Sequence, residues 1–97
     1  MSKQPPDKPL RLAEKLLQIR KSLDLSQNAL LSKLGAKDKL FRSNISQYEL
    51  GTREPSLTVI LSYARLANVF VDVLIDDELD LPKQIPSPKR FSGTLDK

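Results

Sequence analysis

A chain of 97 residues can hold one small domain with a single core, and is too short to join that to a separate ligand-sensing domain. It contains no cysteine and no histidine, which excludes disulfides, thiolate metal sites, and acid–base catalysis or pH switching by imidazole. Net charge is only +4, but twelve Lys and Arg against six Asp and Glu fall in residues 1–65, five acids and no base in 66–82, and four bases against one acid in 83–97. Such a distribution turns the basic part toward a polyanion.

Residues 1–8, with Pro5 and Pro6 and little apolar content, read as a flexible arm. No apolar run reaches membrane-spanning length and the N-terminus lacks the apolar core of a signal peptide, so a cytoplasmic protein is expected. From Pro9 onward, Leu12, Leu16, Ile19 and Leu23 follow i, i+4, i+7, i+11 and predict a first helix over about residues 9–23. Arg20 lies beside that stripe, where a long cation needs a carboxylate partner. Ser26 suits the N-cap of a second helix, SQNALLSKL, which Gly35 closes, with Ala29, Leu30 and Leu34 facing inward. The free N–H groups at its start make Ser26 and Gln27 candidates to hold a phosphate, beside simple capping.

The stretch LFRSNISQYELGTREP predicts a third helix, with Phe41, Ile45 and Tyr48 on one face and Arg42, Ser43, Asn44 and Gln47 on the other, ending at Gly51. Arg, Asn and Gln can form paired hydrogen bonds with purine edges in a DNA major groove. An amphipathic helix whose polar face only meets water is the alternative. Pro55 and Ser56 open a fourth helix carrying Leu57, Ile60, Leu61, Ala64 and Leu66/Ala67, which closes near Asn68. The run VFVDVLIDDE is more apolar than one face of a short helix can hide, so Phe70, Val71, Leu74 and Ile75 are candidates for an interface between two copies. Completion of the protomer's own core is the alternative. Asp76, Asp77, Glu78 and Asp80 lack the spacing of a calcium loop and read as a solvated acidic face. Residues 79–97, rich in Pro and Ser, read as an extended or disordered tail. No catalytic constellation, metal site or cofactor motif is found, and the glycines at 35, 51 and 93 are isolated.

The order SQ-x-x-L-x-x-x-L-G, followed by I-x-x-x-E-x-G-x-R-x-P-S, resembles the lambda-repressor/Cro-type helix-turn-helix family over about residues 11–76. The resemblance implies an all-α, compact five-helix domain whose second helix rests across the DNA backbone while the third enters the major groove. Carried over by position, the base-reading sites fall on Arg42, Ser43, Asn44 and Gln47. The backbone anchors fall on Gln27, Thr52 and Arg53, and Ser26, Lys37 and Lys39 are read with them as phosphate contacts. It also pairs Arg20 with Glu49. Two departures stand out: Leu31, where the family favours a small residue, and four additional residues, 36–39, which form either a loop or an early first turn of the third helix capped by Asp38. The implied function is a sequence-specific regulator of transcription that binds double-stranded DNA, a repressor acting as a homodimer on a palindromic operator. No enzyme activity, cofactor or membrane partner is expected. The alternatives are an antitoxin whose tail folds on a protein partner, and a helical protein-binding adaptor.

Overall fold

The computed structural model describes residues 9–35, 39–83 and 85. Among them are five helices and no strand: α1 (Leu12–Ser22), α2 (Gln27–Lys33), α3 (Arg42–Leu50), α4 (Leu57–Ala67) and α5 (Val71–Ile75). Ser26 caps α2 by accepting the Ala29 N–H at 3.0 Å, and Ser56 caps α4 by accepting that of Val59 at 3.3 Å. Four helices close through a left-handed residue: Asp24 after α1, Gly35 after α2, Gly51 after α3 and Asn68 after α4. At Gly51 the closing bonds run from Thr52 N–H to the Gln47 carbonyl at 3.0 Å and from Gly51 N–H to that of Tyr48 at 3.2 Å, which satisfies carbonyls the helix would otherwise strand.

The core is built from Leu12, Leu16 and Ile19 of α1, Leu30 of α2, Ile45 and Tyr48 of α3, and Ile60, Tyr63 and Ala64 of α4. Burying each large apolar side chain stabilises the fold by about 1.5–3 kcal/mol, which is how the short α2 is held in place by its neighbours. Leu31 is also buried. α3 packs on α1 and α2, while α5 lies against α1 and α4.

Several expectations change. Leu57 and Leu61 point outward from α4, whose inner face is Ile60, Tyr63, Ala64 and Ala67. Leu74 is fully buried on the side of α5 that rests on α1 and α4, so it belongs to the protomer core and not to a surface between copies. The core also runs past residue 78. Leu81 and Ile85 are buried in it, so this part of the tail lies on the domain instead of extending from it.

The acidic stretch is not merely solvated. Asp77 accepts the N–H groups of Leu10 at 3.0 Å and Arg11 at 2.9 Å, drawing the chain before Leu12 toward itself, and α1 starts at Leu12 and not at Pro9. The Arg11 guanidinium donates to the Asp77 carbonyl at 2.8 Å and to the Asp80 carboxylate at 2.8 Å. Lys15, fully buried between Leu12 and Leu16, donates from Nζ to the carbonyls of Val73 at 2.7 Å and Asp76 at 2.9 Å. A cation from α1 thus satisfies carbonyls at the end of α5, the end that carries the negative pole of the helix.

Candidate nucleic-acid interface

Arg20 and Glu49 set the position of α3. Arg20 donates from Nε to Oε2 of Glu49 at 2.7 Å and from Nη2 to Oε1 at 3.1 Å, a two-pronged pair, and from Nη1 to the Leu25 carbonyl at 3.0 Å. Gln27 Nε2 donates to Oε1 of the same carboxylate at 3.1 Å. Glu49 is 5 % exposed and Arg20 18 %, so these bonds form largely away from water. The bond to Glu49 raises the pKa of Arg20 above its ordinary value against the opposing effect of burial. One carboxylate therefore ties α1, α2 and α3 together. With Ile45 and Tyr48 in the core, α3 is fixed in rotation.

That rotation turns Arg42, Ser43 and Gln47 to solvent. Asn44 differs from them. It is half-buried, accepts the Phe41 N–H on Oδ1 at 2.9 Å and donates from Nδ2 toward Gln47 Oε1 at 3.4 Å. Its amide organises the start of α3 and is not a free pair of groups for a base. Phe41, expected in the core, is instead the N-cap residue and is 74 % exposed. Its extended backbone, φ −113° and ψ 160°, swings the ring off the apolar face of the helix. Lys39 and Leu40 are not helical, so α3 does not begin a turn early.

The expected phosphate anchors among the described residues differ in exposure. Ser26 is exposed, with its oxygen engaged by the Ala29 N–H, and Lys39, Thr52 and Arg53 are exposed. Thr52 Oγ1 donates to the Gln47 carbonyl at 3.4 Å, tying the loop after α3 to the helix. Gln27 is half-buried and holds Glu49 with one amide hydrogen. Lys37 lies outside the described residues.

A family model described as helix-turn-helix matches residues 16–73, from within α1 to within α5. The chain belongs to the Cro/C1-type helix-turn-helix family. No curated protein and no solved structure gives a match. In this helix-turn-helix domain α2 and α3 are the paired helices, and the family is one of DNA-binding regulators of transcription. Among the described residues no helix is long and apolar enough to cross a membrane, and no three acidic side chains gather as a metal site would need.

Sequence reasoning missed Lys15 and Asp77, the residues that join α1 to α5. Lys15 carried a signal, since Leu12, Lys15, Leu16 and Ile19 complete the i, i+3, i+4, i+7 pattern with a lysine in an inward place. Asp77 carried none, because its partners are backbone N–H groups more than sixty residues away.

Proposed function

We propose that the domain is a homodimeric repressor that reads a palindromic operator and blocks access of the transcription machinery to it. The observation that carries this reading is the outward row Arg42, Ser43 and Gln47, held at a fixed rotation by the buried bonds among Arg20, Gln27 and Glu49. α3 enters the major groove with Arg42 and Gln47 donating to base edges and Ser43 supplementing them. Asn44 acts on Gln47 and on the helix start. Ser26, Gln27, Lys39, Thr52 and Arg53 meet phosphates on either side. Phe70 and Ile75 are exposed beside the half-buried Val71, which supports pairing of two protomers through the start and end of α5. Pairing makes the second half-site contact intramolecular, and two-fold symmetry sets half-site centres about 34–36 Å apart.

The test is selection of bound sites from random duplex DNA, followed by affinity measurement at about 50 and 200 mM salt. Each phosphate neutralised contributes about −0.9 to the slope of log affinity against log salt, so the affinity should drop steeply. Binding that selects no sequence and ignores salt would rule the reading out.

A further inference from the structure

Phe41 breaks a local rule at a conspicuous place. The N-cap position favours Ser, Thr, Asn or Asp because the side-chain oxygen accepts a backbone N–H of the first turn. Phenylalanine has no such oxygen, and α3 makes up for it: the Asn44 N–H goes to the Phe41 carbonyl at 2.9 Å, and the Phe41 N–H goes to the Asn44 side chain at 2.9 Å. The backbone at Phe41 is held from both sides, yet the ring is 74 % exposed and takes no part in the core. A small hydroxyl residue would serve folding better here and would expose less apolar surface to water. Positions where local fitness for folding is given up are expected where a residue acts on something outside the fold.

What it would act on follows from its neighbours. Phe41 directly precedes Arg42 and Ser43, and Asn44 links it to Gln47, so the ring stands at the end of the polar row that meets base edges first. It can neither donate nor accept a hydrogen bond, and a phosphate offers it nothing. Among the groups displayed in the major groove, the C5-methyl of a pyrimidine is the apolar one, and contact with it is how an aromatic side chain adds sequence information.

We infer that Phe41 is a specificity-determining residue that reads a pyrimidine C5-methyl group in each half-site; this rests on the DNA-reading role of α3 proposed above. The methyl belongs to thymine or to 5-methylcytosine, and the two share the same contact.

The experiment starts from the site selected by the wild-type protein and replaces each thymine singly by deoxyuridine, which removes the methyl and nothing else. At each cytosine, 5-methylcytosine is compared with cytosine. Wild-type protein should lose about fourfold in affinity per half-site where the methyl is deleted, the equivalent of one methyl-sized apolar group returned to water. Phe41→Ala and Phe41→Ser should be indifferent to the same change. Phe41→Ser restores the capping oxygen and should raise the melting temperature, so a loss of methyl sensitivity in that variant cannot come from a weakened helix. Sensitivity at a thymine assigns the methyl to thymine, and sensitivity only at 5-methylcytosine assigns it to a modified site. A wild-type protein that selects DNA but ignores every methyl, or a Phe41→Ser variant that keeps the wild-type sensitivity, overturns the inference and leaves the DNA-reading role standing. Failure to select any DNA overturns both.

Discussion

The carboxylate of Asp77 receives the N–H of Arg11 at 2.9 Å, so the stretch that follows the last helix caps the first. These backbone bonds, from Leu10 first and then Arg11, hold the Asp77 carboxyl below its ordinary pKa of 3.8. The native state therefore binds its proton less readily than the unfolded chain does. Its stabilising contribution is complete above 3.8 and declines as pH falls from there through the lowered native value. Asp77→Asn should be less stable near neutral pH and should show a flatter decline in this acid range. Urea midpoints measured across it would decide, and an unchanged acid slope in the variant would remove Asp77 as the source.

Glu49→Ala leaves the Arg20 guanidinium with little water and no anion, and also frees the Gln27 amide. A loss of about 3–5 kcal/mol is expected, against about 1 kcal/mol for Gln27→Ala, which gives up one hydrogen bond. Denaturant unfolding of both variants checks the order. Equal costs would mean that the charge pair contributes little beyond one of its bonds.

Gln47→Ala should reduce affinity for the selected site by about 1–3 kcal/mol and relax the preference at one base position per half-site. Arg53→Ala should weaken binding to all sequences alike and lower the salt slope by about 1. Repeating the site selection with each variant separates the two; a Gln47→Ala protein that selects the wild-type sequence would deprive this residue of its reading role.

Phe70, 81 % exposed, and Leu74, fully buried, sit four residues apart and should respond differently to a charge. Phe70→Asp is expected to fold as the wild type does but to sediment as a monomer at micromolar concentration, whereas Leu74→Asp should not fold. A Phe70→Asp protein that remains dimeric would move the contact between copies elsewhere.

Tyr63 is fully buried, and its hydroxyl has no hydrogen-bond partner among the described residues. Burial raises its pKa, so it stays neutral, and no side chain or backbone group among the described residues depends on its proton. Tyr63→Phe should be neutral or stabilising by up to about 1 kcal/mol in thermal unfolding. A clear loss would reveal a partner for that oxygen.

Legibility in the sequence followed the range of the forces involved. Ser26, Ser56, Gly51 and Asn68 act within one turn, so the boundaries they set could be read from neighbouring residues. The inward stripe of α1 was legible from its period, as were Ile45 and Tyr48 of α3. Phe41 followed the same period and failed, because the helix starts one residue later and an N-cap residue does not obey the helical repeat. Leu57 failed for a related reason: at the first position of α4 it sits on the outer side, and periodicity cannot say which of two apolar rows meets the core. The places of Asp77, Leu81 and Ile85 depend on contacts between the two ends of the domain, and no local pattern encodes those. Of the polar row, composition identified the residue types. That Asn44 is occupied with its own helix emerged only from the bonds it makes.

The union of α1 with the segment after α5 also bears on how the domain matures during synthesis. The N–H groups of Leu10 and Arg11, the Arg11 guanidinium and the ammonium of Lys15 are made early, while their acceptors, from Val73 to Asp80, are made late. A nascent chain that has released only α1 to α4 holds a buried-type lysine with nothing to bind and a core still missing Leu74, Leu81 and Ile85. Translation must therefore deliver nearly the whole domain before its first helix is secured, and folding is expected to complete in one late step instead of growing helix by helix from the N-terminus.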